Sequence, residues 1–135
     1  MLYSGGEINR SELRPALHTA LRDSSSEKYS AIHVDGQNVK QLVAKNLLDM
    51  ERIASKIQKG NWLGYSGQPI TTVINIGVGG SDIGPNMVCH ALAEFRLETK
   101  FPLDVMFVSS MDGSQLAEML QHLDQGSTLF IIASK

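Results

Sequence analysis

The stretch that most constrains this chain is a β-branched run, Thr71-Thr72-Val73-Ile74, which leads through Asn75-Ile76 straight into Gly77-Val78-Gly79-Gly80-Ser81. Branched side chains at Cβ favour an extended backbone. The three glycines that follow let the chain turn tightly and come close to a ligand without Cβ hindrance. A helix is predicted next, from Asp82 or Ile83 through Glu94. Further on, strands are predicted over 105–109 and 129–133, with a helix over 115–123 between them. The order strand, helix, strand, helix, strand implies a parallel sheet with right-handed crossovers and helices on its faces. Such sheets bind ligands beyond the carboxyl ends of their strands. Residues 77–81 and the pair Ser134-Lys135 both fall on that edge.

The glycine turn suits a small anion. The helix after it points free N–H groups and the positive end of its dipole at the loop, and Ser81 adds a hydroxyl donor. The dipole contributes only about 0.3–1 kcal/mol at an exposed site. Most of the affinity for a dianionic phosphate would therefore come from charge-assisted hydrogen bonds, at about 1.5–3 kcal/mol each. A dinucleotide site fits less well. Its G-x-G-x-x-G fingerprint requires glycine where Asp82 stands, and a carboxylate there opposes a pyrophosphate. The P-loop pattern fails because no Gly-Lys-Ser/Thr follows. On spacing alone, a turn that binds nothing remains open. Ser81 reads as a ligand donor or an N-cap, which are compatible roles, and Asp82 reads as a capping residue of the first helical turn.

The first 65 residues read as a helical segment, and 66–135 as the first part of an α/β domain. Leu13, Leu17 and Leu21 predict a helix over 12–22 with Pro15 in its first turn, which would place Arg14, His18 and Arg22 on roughly one face. A polar break over 23–28 and an extended stretch over 29–34 follow, ending at Asp35-Gly36. Val39, Leu42, Val43, Leu47, Met50, Ile53, Ala54 and Ile57 then form one apolar stripe on a long helix that Gly60 stops. Gly64, Gly67 and Pro69 mark a loop.

A net charge of −2 gives no reason to expect a nucleic-acid or membrane partner. No apolar run approaches the roughly 20 residues of a membrane helix, and residues 1–10 do not read as a secretory signal. The single cysteine, Cys89, excludes an internal disulfide and fits a reducing, cytoplasmic setting. On its predicted helix it reads as a small buried hydrophobe. His33, His90 and His122 lack metal-ligand spacing, so no metal site is expected; no cofactor is expected either.

Five segments, in order, resemble the glucose-6-phosphate isomerase family. They are Ile8-Asn9 through Arg14-Pro15-Ala16-Leu17-His18-Thr19-Ala20-Leu21-Arg22; Gly60-Asn61-Trp62-Leu63-Gly64-Tyr65-Ser66-Gly67; Asn75 through Gly84, similar to the signature N-I-G-I-G-G-S-D-L-G; Phe107-Val108-Ser109-Ser110-Met111-Asp112-Gly113; and Leu129 through Lys135. The resemblance implies an aldose–ketose isomerase interconverting glucose 6-phosphate and fructose 6-phosphate, in glycolysis and gluconeogenesis. It implies an open, parallel, three-layer sugar-isomerase (flavodoxin-like) fold and a homodimer in the full-length enzyme. It also implies that Gly80, Ser81, Ser134 and Lys135 bind the sugar phosphate. Nothing in this chain corresponds to the family's proton-moving glutamate or ring-opening histidine, so no catalytic residue is expected here and the chain alone is expected to be inactive. A non-catalytic sugar-phosphate-binding regulatory module is the alternative. Ser110 and Gln115 depart from the family's usual asparagine and histidine, Ser66 from its threonine, Asn61 from its aspartate and Pro15 from its alanine.

Overall fold

The computed structural model describes residues 5–22, 32–96 and 98–134. The chain divides into two compact units, Met1–Arg52 and Ile53–Lys135.

In the first unit, the helix expected over 12–22 does not form. β1 (Glu7–Asn9) and β2 (Arg14–Pro15) pair antiparallel instead, and helical geometry is confined to a 3₁₀ turn at Ala20–Arg22. Three local causes outweigh the leucine spacing. The Asn9 side chain accepts from the Glu12 amide at 3.2 Å and from the Ser11 hydroxyl at 2.8 Å, closing a turn where the helix would begin. Leu13 takes φ 53°, outside the right-handed region. Pro15 biases Arg14 toward extended backbone. The segment is therefore not all helical, and Arg14, His18 and Arg22 do not share a helix face.

β3 (His33–Val34) and β4 (Gln37–Asn38) form a short hairpin. Its turn is Asp35-Gly36, with φ 51° and 77°, the left-handed pair that matches strand twist in a two-residue connection. The polar break over 23–28 and the start of the expected extended stretch lie outside the described residues. Asn38 then caps α1 (Val39–Gln58), accepting from the Gln41 amide at 3.1 Å. The long helix forms as the spacing predicts, but its stripe is not buried throughout. Val39 and Ile57 are buried at its ends, while Leu42, Leu47, Met50 and Ile53 are exposed.

Gly60 ends α1 with φ 68°. Its amide bonds Ile57 O and the Asn61 amide bonds Lys56 O, the paired bonds of a Schellman cap. A Cβ on Gly60 would lie 2.5 Å from the Phe101 ring, so this position needs glycine twice over.

The second unit is built on three parallel strands, β5 (Thr72–Gly77), β6 (Asp104–Val108) and β7 (Thr128–Ala133), in the order β6-β5-β7. α2 (Gly80–Ala91) joins β5 to β6, and α3 (Gly113–Gln121) joins β6 to β7. These boundaries lie within a few residues of the sequence-based ones. β5 is the buried centre; Ile74 is fully enclosed, and Ile57, Ile70 and Val73 form a cluster flanked by Leu103 and Leu129. The start of β7 is pinned by Asp124, which accepts from the Gly126 amide at 2.9 Å and the Ser127 hydroxyl at 2.8 Å, while the Ser127 and Thr71 hydroxyls lie 3.1 Å apart. Gly64 packs directly on this corner: a Cβ there would stand 2.2 Å from Gly126 O. No helix among the described residues is long and apolar enough to cross a membrane.

Candidate anion site at the strand ends

From β5 the chain passes through α2 to one side, to β6, and then through α3 back across to β7 on the other side. The connections thus diverge between β5 and β7, and a crevice opens at the carboxyl ends of such strands. Gly77 pairs in register with Ala133, so the turn 77–81 and Ser134 leave the sheet side by side. Gly80, Ser81 and Ser134 are brought to this edge. Lys135 lies outside the described residues.

Two of the turn's glycines have their own reason. Gly77 lets helix approach strand: a Cβ there would meet Ser81 Cβ at 2.8 Å and Ser81 O at 3.0 Å. Gly79, the residue before α2, takes φ 62°, which L side chains rarely adopt. Gly80 has neither excuse. Its φ is not positive in that sense, and a Cβ added to it would meet nothing within 4 Å. Nothing among the described residues requires glycine at Gly80, and the same is true of Gly84 and Gly113.

The donors at the turn are fewer than the helix start alone suggests. The amides of Ser81, Asp82 and Ile83 are turned back onto Val78 O and Gly79 O at 2.9–3.3 Å. The amides of Gly79 and Gly80 have no acceptor among the described residues. The half-buried Ser81 hydroxyl likewise has none, so it is not an N-cap here; no side chain caps α2. The turn is held from below by Asn75, a buried β5 residue whose Nδ2 donates to Ser81 O at 3.0 Å. Sequence reasoning gave Asn75 no role. The hint was a polar residue inside a β-branched run whose strand is buried on both faces.

Asp82 is the only buried charged residue among those described. It does not cap the helix by a hydrogen bond, and its Oδ1 has no partner. The loop after β6, by contrast, satisfies itself. Asp112 caps α3 by accepting from the Ser114 amide at 3.0 Å, and this bond holds its carboxyl below the usual carboxylate range. Gln115 donates to Phe107 O and accepts from the Ser110 amide, both at 3.4 Å, so the two unusual residues Ser110 and Gln115 are bonded to each other's segment. Cys89 departs from expectation: it is exposed, on an open cleft of about 540 Å³ with Val88, Leu92 and Phe95. No group of His, Cys, Asp and Glu among the described residues could hold a metal ion.

A parallel sheet in the order β6-β5-β7 with crossover helices, and a glycine turn at its switch point, defines the class of open parallel α/β proteins. Comparison with known proteins narrows this. The phosphoglucose isomerase family model matches residues 1–135, and the chain belongs to that family. It is 44% identical over 134 residues to glucose-6-phosphate isomerase 1 of Colwellia psychrerythraea and 47% identical over 134 residues to the glucose-6-phosphate isomerase of Psychrobacter arcticus. Each match covers 99% of this chain but only 23% of the relative. The crystal structure of a glucose-6-phosphate isomerase from Chlamydia trachomatis shares the fold, with a TM-score of 0.68 at 24% identity over 99% of this chain and 23% of that one. The chain thus spans about a quarter of the length of the relatives it matches.

Proposed function

We propose that this chain supplies the phosphate-anchoring end of a glucose-6-phosphate isomerase, with residues 66–135 as the opening part of an open sugar-isomerase (flavodoxin-like) domain. The 6-phosphate of glucose or fructose lies against Gly80 and Ser81, with Ser134 and Lys135 closing on it from β7. The amides of Gly79 and Gly80 and the Ser81 hydroxyl are the donors this chain offers. The observation that carries the reading is the set of donors without an acceptor among the described residues, the Gly79 and Gly80 amides and the Ser81 hydroxyl, gathered beside Ser134 at the end of β7. Such anchorage binds the substrate far from its reacting carbons, and that binding energy is available for orienting them. The proton transfer between C1 and C2, through an enediol(ate), then falls to acid–base groups in the part of the relatives' length that this chain does not span. The assembled enzyme acts as a homodimer in the cytoplasm, in glycolysis and gluconeogenesis, without a cofactor.

The test is a coupled assay of fructose 6-phosphate formation. The 135-residue chain, purified free of host enzyme, should give no turnover, and the complete gene product that carries it should turn over. Turnover by the chain alone would overturn the division of labour. Binding of glucose 6-phosphate by the complete product without turnover would establish a regulatory module instead.

A further inference from the structure

Asp82 presents a problem that the phosphate site does not solve. It is 8% exposed, Oδ1 is out of contact with water, and no donor among the described residues reaches it. Its buried polar neighbours in the fold are provided for: Asn75 bonds Ser81 O, and Ser127 bonds Asp124. The ion pairs among the described residues join Asp49 to Lys45 and Arg52 on α1, not Asp82. A buried carboxylate oxygen without a donor is costly, and native proteins usually supply one. The first turn of α2 favours a negative charge, but a helix dipole is a small fraction of that cost.

The position adds a second constraint. Asp82 directly follows Ser81, so a phosphate dianion at the turn and this carboxylate would stand close together. Like charges at that range oppose each other unless a positive group lies between them. We propose that Asp82 is a positioning residue: it holds a guanidinium or ammonium from the part of the relatives' length this chain does not span, and that cation also faces the anion bound at Gly80 and Ser81. A guanidinium can meet a carboxylate with two parallel bonds and keep further N–H groups for phosphate oxygens. An ammonium has three donors to divide between them. The inference rests on the phosphate reading of the turn. It adds to the site a cation other than Lys135, and it names the residue that receives it.

The experiment uses the complete gene product and two probes, inorganic phosphate and glucose 6-phosphate, titrated calorimetrically into wild type and Asp82→Asn. The expected result is at least a ten-fold loss of affinity for both probes in Asp82→Asn. A purely structural carboxylate would leave both affinities unchanged, which overturns the proposal. Tighter phosphate binding would mean that Asp82 is a bare repulsive charge, and a loss confined to glucose 6-phosphate would mean that it accepts from a sugar hydroxyl; either result overturns it. Failure of wild type to bind phosphate overturns this proposal together with the reading it rests on, whereas binding by wild type with an unaffected variant removes this proposal alone. Should the variant not fold, the wild-type crystal structure decides: a Lys or Arg nitrogen from beyond these 135 residues within about 4 Å of the Asp82 carboxylate supports the proposal, and its absence, or Lys135 in that place, overturns it.

Discussion

Gly80→Ala separates a ligand site from a structural turn, because stability and binding should move in opposite directions. Beyond its chain neighbours and its own helix, the added methyl meets no atom of the described residues within 4 Å, so it introduces no clash among them. Replacing glycine by alanine at a compatible backbone restricts the unfolded chain and should stabilise by about 0.4–1 kcal/mol. The same methyl projects into the space assigned to the phosphate. If it displaces the oxygen bonded by the Gly80 amide, one charge-assisted hydrogen bond is lost, at about 1.5–3 kcal/mol. At 1.4 kcal/mol per factor of ten, that is a roughly ten- to hundred-fold weaker dissociation constant. The neighbouring glycines are the controls. Gly77→Ala should destabilise by about 1–3 kcal/mol through overpacking against Ser81. Gly79→Ala should destabilise because its φ of 62° is unfavourable for alanine. Urea unfolding and calorimetry with inorganic phosphate on the complete gene product read both quantities. A Gly80→Ala protein of unchanged or higher stability that binds phosphate as tightly as wild type would refute the reasoning.

Other consequences concern the scaffold. Ile74→Ala, at a side chain with no exposed surface, should lower stability by about 2–5 kcal/mol in urea unfolding. Asn75→Ala should free the carbonyl of Ser81, costing about 1–3 kcal/mol of stability and, because the turn is no longer held, some phosphate affinity; calorimetry should show the affinity loss. Because the Asp112 carboxyl is held below its ordinary value of 3.8, the stability it contributes is present above that pH and is lost as pH falls through the lower folded value. The urea midpoint of wild type should therefore fall toward that of Asp112→Asn on acidification below about pH 4, and a gap between them that persists at low pH would contradict the assignment. The 135-residue chain alone should self-associate, since the β7 residues Phe130, Ile131 and Ile132 are exposed, Ile132 at 73%. Sedimentation should show mass rising with concentration, and Ile132→Lys should reduce it.

The sheet was legible because its signals are local and agree. A β-branched run ends in glycines, β6 is followed by Ser109-Ser110 and β7 is preceded by Gly126-Ser127, so β5, β6, β7, α2 and α3 fall within a few residues of their sequence-based positions. The glycine turn between β5 and α2 was legible for the same reason, whereas the close approach at Gly77 and the positive φ of Gly79 were not. The N-terminal stretch was not legible. Three leucines at helical spacing were outweighed by one side-chain bond from Asn9, a left-handed Leu13 and Pro15, none of which enters a periodicity count. α2 misled in a different way. The helix buries Asp82 and leaves Ile83, Met87, Val88 and Cys89 exposed, the reverse of what hydropathy dictates for a helix whose partners are all at hand. A pattern read on one quarter of the relatives' length registers apolar faces without showing which of them a neighbour covers.

The direct trial of phosphate anchorage is a crystal structure of the complete gene product with glucose 6-phosphate bound. The 6-phosphate should sit within hydrogen-bonding distance of the Gly80 amide and the Ser81 hydroxyl, with Ser134 beside it. A sugar bound with its phosphate directed away from that bend, or lodged elsewhere on the protein, would contradict the account.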